Sequence, residues 1–241
     1  MTLIAAHLEQ VRRRVHDAAV AAQRDPSSII LMAVSKTFPA KDIEQAIAAG
    51  QTVFGENYVQ EAVEKIQTLA AFRSELEWHF IGPLQSNKTK DVASYFDWVH
   101  SIDRLKIAER LSNQRGALSL AKKLQVCVQV NVSNEDSKSG IPLEEADTLC
   151  TAIAQLPHLT LRGLMAIPEP TSDPASQAEA FGAVEDCFKS IQAKYSQEAG
   201  FLEFNTLSMG MSDDMEAAIA HGSTIVRVGT AIFGKRDKIS A

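Results

Sequence analysis

Ile29-Ile30-Leu31-Met32-Ala33-Val34-Ser35 is a nearly unbroken apolar run, and Ala40 to Ala49 follows it with Ile43, Ala46 and Ile47 on one helical stripe. A run without alternation reads as a strand buried on both faces, and the stripe reads as a helix laid over it. The unit recurs downstream. Thr52 to Gly55 precedes a helix carrying Val59, Ala62, Val63 and Ile66, and Trp78 to Gly82 precedes a weaker helix through Val92 and Phe96. Trp98 to Ile102 leads into Leu105, Ala108 and Leu111, and Leu124 to Val132 leads into Leu143, Ala146, Leu149, Cys150 and Ile153. The last three strands are Leu159 to Ile167, Thr206 to Met209 and Thr224 to Phe233. Helices Phe181-Val184-Phe188-Ile191 and Met215-Ala218-Ile219 lie between them. Upstream of the first strand, Ile4, Leu8, Val11, Val15, Ala18 and Ala22 recur at helical spacing, so an extra helix opens the chain and ends by Asp25-Pro26.

Strands alternating with helices predict parallel pairing through right-handed crossovers, and eight such units close a barrel. The length of 241 residues suits one barrel of roughly 250. The predicted fold is therefore α/β, a single (β/α)8 TIM-like barrel over residues 1–241, with an open doubly wound sheet as the alternative. Pro168 to Ser176 is the most loop-like segment.

The 24 basic and 30 acidic residues give a net charge of -6, which disfavours a nucleic-acid or anionic-membrane partner. Three scattered cysteines, Cys127, Cys150 and Cys187, suit a reducing compartment. The N-terminal stretch is interrupted by His7, Glu9 and Gln10 before any signal core forms, and nowhere do ~18 apolar residues run together. These features predict a cytoplasmic protein and mildly favour a monomer.

Lys36 ends the first strand, so in a barrel its amine sits at the C-terminal face where active sites are built. Burial lowers a lysine pKa, as a Schiff-base nucleophile near neutral pH requires; the alternative is a lysine that snorkels into solvent. The segments Thr206 to Ser212 and Val226 to Thr230 end strands seven and eight, the common phosphate address of barrels. There Gly210 and Gly229 allow close backbone approach, and Ser208, Ser212 and Thr230 supply donors. Ser212 could instead cap a helix, with Asp213 and Asp214 in its first turn, and those acids would repel a phosphate unless they point away.

Asn57 ends strand two, where its amide could orient a ligand or cap the next helix. His79 and His100 lie in strands without a partner at metal-ligand spacing, and read as core histidines. Lys138 and Gly140 belong to a polar loop after strand five on the same face. Gly229 to Arg236 nearly spells a P-loop, but Arg236 stands where Ser or Thr must hold magnesium and no long helix follows.

Taken together, Ala33-Val34-Ser35-Lys36, Phe54-Gly55-Glu56-Asn57, Trp78-His79-Phe80-Ile81-Gly82, Leu84-Gln85-Ser86-Asn87-Lys88, Leu207-Ser208-Met209-Gly210-Met211-Ser212 and Arg227-Val228-Gly229-Thr230 resemble the YggS/PROSC family of pyridoxal-phosphate homeostasis proteins. The resemblance spans almost the whole chain. It implies a barrel like the N-terminal domain of alanine racemase, with pyridoxal 5'-phosphate held as a Schiff base on Lys36. It further implies phosphate contacts from Ser212, Gly229 and Thr230, and Arg227 facing the pyridine nitrogen; Asn57 and Met209 complete the implied cofactor-binding set.

Racemases of this kind need a second domain, for which this chain leaves no room. The expectation is therefore a cofactor carrier or buffer that serves cofactor-accepting apo-enzymes, without committed turnover. A small single-domain racemase and a cofactor-free lysine aldolase are the alternatives.

Overall fold

The computed structural model describes residues 2–118, 120, 122–133 and 139–234. Helix α1 (Leu3–Ala21) starts where the Thr2 hydroxyl accepts the Ala5 amide at 3.2 Å, and it buries Ile4, Leu8, Val11, Val15 and Ala19, the stripe read from the sequence. The chain then alternates: β1 (Ile30–Val34), α2 (Ala40–Ala48), β2 (Val53–Glu56), α3 (Val59–Thr68), β3 (Glu77–Phe80), α4 (Thr89–Tyr95), β4 (Trp98–Ile102), α5 (Leu105–Ala117) and β5 (Leu124–Asn131). A two-residue strand, β6 (Ile141–Pro142), pairs beside the end of β5 and was not foreseen. There follow α6 (Ala146–Ala154), β7 (Leu159–Ala166), α7 (Pro174–Lys194), β8 (Thr206–Ser208), α8 (Met215–Ala220), β9 (Ile225–Val228) and α9 (Thr230–Phe233).

Every pairing is parallel, and the ring runs β1-β2-β3-β4-β5-β7-β8-β9 and back to β1. An eight-stranded closed barrel thus replaces the open-sheet alternative. Closure puts all strand C-termini at one mouth.

Strand alternation divides the apolar residues into two populations. Phe54, Trp78, Phe80, Val226 and Val228 join the large cluster between barrel and helices. Met32, Val34, Ile81 and Ile225 form a small patch inside the barrel, and Trp98, Cys127 and Met165 form another. The lumen is tight: a Cβ added at Gly55 would come 2.6 Å from Met32 Sδ, and one at Gly163 would come 1.8 Å from Thr206 O.

Two boundaries differ from the sequence reading. The expected strand Thr224 to Phe233 ends at Val228, and Thr230–Phe233 coils into a single helical turn. That turn buries Ile232 and stacks Phe233 on Phe38 with ring centroids 5.0 Å apart, so an apolar triplet reads as strand although it folds as helix. Pro168 to Ser176 is not all loop, because Asp173 accepts the Ser176 amide at 2.9 Å and starts α7 at Pro174. Among the described residues, no helix is long and apolar enough to cross a membrane.

Candidate functional site

The segments that follow β1, β2, β3, β7, β8 and β9 converge on a cleft of about 470 Å3 at the C-terminal mouth. Lys36, Asn57, Ser212, Arg227, Gly229 and Thr230 all line it. Residues spread over nearly the whole sequence meet here because each directly follows or ends a strand of one closed ring.

Lys36 is half-buried, immediately beyond β1, and the backbone around it is held from below. Thr37 occupies the left-handed region at φ 70°, a conformation of order 1–3 kcal/mol above the ordinary wells for a branched residue. Its amide donates to Glu61 on α3. Lys65, one helical turn further, donates to Glu61, to the Ser35 carbonyl at 2.7 Å and to Glu56 Oε1 at 2.7 Å. Ser35 adds its hydroxyl to the same Glu56 oxygen at 2.7 Å. Burial raises the Glu56 carboxyl above the ordinary carboxylate range, opposed by the charge and hydrogen bond of Lys65. A buried charge pair therefore pins the carbonyl just before Lys36, and Glu61 pins the amide just after it.

Arg227 points into the lumen from β9, as its neighbours Val226 and Val228 point outward. One guanidinium nitrogen donates to the Ser208 carbonyl at 2.6 Å and to the Ser208 hydroxyl at 2.7 Å, and the other donates to the Ala166 carbonyl at 2.8 Å. Burial lowers its pKa to about 10, with Asp214 acting against the shift, so it stays charged at neutral pH.

The helix-cap readings of Asn57 and Ser212 do not hold, and the two acids after Ser212 diverge. Asn57 does not cap α3, whose N-cap position is Tyr58; its Oδ1 is buried without a hydrogen-bond partner in the wall of the cleft. Ser212 does not cap α8 either, because Asp214 stands at that N-cap. Asp214 turns away from the cleft to accept the Met211 amide, whereas Asp213 remains at the exposed rim.

Other expectations need correction. Met209 is sequestered in the large outer cluster and does not line the cleft; Met211 takes the lining position. Ser208 is fully buried with its hydroxyl committed to Arg227 and His100, so it is no donor to a phosphate. Gly210 packs against α8, where a Cβ would fall 2.6 Å from Ala218 Cβ. Gly140 sits against the backbone of β5 away from the cleft, and Lys138 lies outside the described residues. His79 and His100 are core residues, as read, but they partner each other at 2.9 Å. Among the described residues no cluster could hold a metal.

Sequence reasoning missed Arg14. It lies on the polar face of α1, yet reaches the cleft, donating to the Ser212 carbonyl at 3.0 Å and pairing with Glu216 at 2.8 Å.

A family model described as "Alanine racemase, N-terminal domain" matches residues 6–237. A protein of Pasteurella multocida named pyridoxal phosphate homeostasis protein is 54% identical over 231 residues, 96% of this chain and 97% of that one. The structure of PipY from Synechococcus elongatus, solved with PLP bound, superposes with a TM-score of 0.80 at 37% identity, over 96% of this chain and 100% of that chain. Alanine racemase from Corynebacterium glutamicum shares the barrel alone, with a TM-score of 0.70 at 16% identity, over 99% of this chain and 62% of that chain. The chain belongs to the alanine racemase N-terminal domain family and, within it, to the pyridoxal phosphate homeostasis proteins.

Proposed function

We propose that the protein binds pyridoxal 5'-phosphate in this cleft, holds it covalently through Lys36, and serves homeostasis of that cofactor by storing, buffering or delivering it. The observation that carries the reading is the convergence of Lys36, Arg227, Ser212 and Thr230 on one cavity. When bound, the cofactor supplies an aldehyde that an amine can capture and a ring that withdraws electrons most strongly when its nitrogen is protonated.

The residues present fit such a group. Asn57 Oδ1 is a buried acceptor awaiting a donor, a state that costs roughly 1–3 kcal/mol while it stays unmet. Gly229 keeps the wall bare beside β1, since a Cβ there would stand 3.2 Å from the Val34 carbonyl. Ser212 and Thr230 offer hydroxyls for the phosphate end. Arg227 lies deep in the cleft, and a guanidinium cannot surrender its proton at neutral pH, so it leaves a facing ring nitrogen unprotonated. That arrangement mutes carbanion chemistry and favours holding the cofactor over turning substrate over.

The mouth is exposed at Tyr58, Asp213 and Thr230, where an acceptor enzyme lacking its cofactor could approach. Cys127, Cys150 and Cys187 are free thiols, which agrees with the reading of a reducing, cytoplasmic setting.

Borohydride reduction of the loaded protein followed by peptide mapping tests the assignment. The label belongs on Lys36; modification of Lys41 or Lys88 in its place overturns it. The Ser212→Ala/Thr230→Ala double variant removes two charge-assisted hydrogen bonds of ~1.5 to 3 kcal/mol each. Each single variant lowers cofactor retention on dilution about tenfold or more, and the double variant about a hundredfold or more. Unchanged retention would take the phosphate away from these loops. Arg14→Ala is the milder change: the Arg14 side chain is 38% exposed, so its charge strengthens retention by no more than about fivefold. Asp213→Asn shifts retention the opposite way. Equal effects of the two variants in the same direction would show that the loop, and not its charge, governs binding.

A further inference from the structure

The lumen contains a polar column that cofactor contacts alone do not explain. Arg227 donates to Ser208 Oγ, His100 Nδ1 lies 2.8 Å from that same oxygen, and His100 Nε2 lies 2.9 Å from His79 Nδ1. His79 Nε2 ends the series 3.5 Å from Glu77 Oε2, at the opposite mouth of the barrel. Ser208, His79 and His100 are fully buried, and Trp98 stacks flat on His79 at 5.1 Å.

Hydrogen-bond satisfaction favours one direction along this column. A guanidinium only donates, so Ser208 Oγ accepts from Arg227, and the hydrogen of this fully buried hydroxyl is satisfied by His100 Nδ1, its acceptor among the described residues. His100 then carries its hydrogen on Nε2 and donates to His79 Nδ1. His79 in turn carries its hydrogen on Nε2, facing the Glu77 carboxylate. Desolvation pushes both imidazoles below their ordinary pKa, His100 well below, so both are neutral, as the scheme requires. The donor at the top sets the tautomers below it, and the Glu77 carboxylate, 3.5 Å from a His79 Nε2 that makes no hydrogen bond, favours the same arrangement electrostatically.

We propose that His100, backed by His79, is a positioning residue for Arg227: by taking the Ser208 hydrogen it keeps the Ser208 oxygen free to hold the guanidinium, and so sets the orientation Arg227 presents to the cleft. The consequence for the cofactor rests on the reading that Arg227 faces the ring nitrogen. The hydrogen-bond column itself does not.

The experiment therefore has two arms. In the first, side-chain NMR of arginine-labelled protein without cofactor follows exchange of the Arg227 guanidinium hydrogens. Exchange is slow in the parent and about tenfold faster in His100→Leu, the loss of one hydrogen bond. His100→Asn, whose side-chain oxygen can still accept from Ser208, retains slow exchange. Ser208→Ala removes only the hydroxyl oxygen, and matches His100→Leu; it also decides the matter if His100→Leu does not fold. Unchanged exchange in Ser208→Ala, or a His100→Asn variant as fast as His100→Leu, overturns the proposal.

In the second arm, the same variants are loaded with cofactor carrying 15N in its ring. The ring-nitrogen shift moves in His100→Leu and Ser208→Ala and returns toward the parent value in His100→Asn. Should the first arm hold while the ring nitrogen ignores all three substitutions, the positioning of Arg227 stands and its placement beside the ring is what fails.

Discussion

Lys36→Ala is expected to abolish retention of pyridoxal phosphate through gel filtration and to give no borohydride-stable adduct on any peptide. The fold survives, because the side chain lies beyond the end of β1 and adds nothing to the barrel's hydrophobic clusters. A change confined to about 1 kcal/mol shifts the melting midpoint by no more than roughly 2–4 °C in a chain of this size. Stable adduct formation in the variant would place the capturing amine elsewhere. A collapse of the melting midpoint would give Lys36 a structural role the geometry does not suggest.

The second large effect lies beneath that residue. Lys65→Met strands the Glu56 carboxylate in the interior, and breaking a buried pair by removing one partner costs about 3–5 kcal/mol. The melting midpoint should drop by roughly 6–20 °C. The pH dependence of the deficit has a definite sign. Glu56 already has a raised folded-state pKa, and removing Lys65 raises it further, so the folded state holds this proton more tightly than the unfolded chain does. The deficit is complete above the folded-state value and narrows as the pH falls through it toward the ordinary carboxylate range. Removing both charges with Glu56→Leu/Lys65→Met recovers most of the stability. It does not restore the bond to the Ser35 carbonyl, so cofactor capture by Lys36 stays impaired in a protein that melts normally. Full recovery of both properties would show that the pair serves stability alone.

Much of this site was legible before any coordinates, because a parallel barrel converts position in sequence into position in space. Lys36, Asn57, Ser212, Gly229 and Thr230 each follow a strand closely, and the strands were identifiable from length and apolar content. Arg227 and Gly229 were assignable to one face by simple alternation. What remained hidden depended on details finer than periodicity. Ser208 ends a strand only three residues long and Met209 follows it directly, where a shift of one position exchanges lumen for shell. Thr230 to Phe233 forms a helix of one turn, too short to display a helical period. Arg14 enters from a helix that precedes the barrel, and nothing local in its sequence tells a solvated arginine from one that reaches a distant loop. The Lys65 clamp was equally silent, since a lysine on an amphipathic helix ordinarily faces water.

The division of the apolar residues into an outer shell and two small lumenal patches separates what makes the barrel persist from what makes it selective. Trp78, Phe54, Phe80 and Phe96 secure the shell and never face the cleft, while the lumen holds a column of exchangeable polar groups. Substitutions within that column that keep its hydrogen bonds and volume can retune the electrostatics at the mouth while leaving the outer shell untouched. The molecule is in this respect a permissive scaffold for divergence. Lineages sharing the shell could drift toward holding, delivering or transforming a ligand by altering a handful of inward positions, and the record of that drift would be written along the barrel axis rather than on its surface.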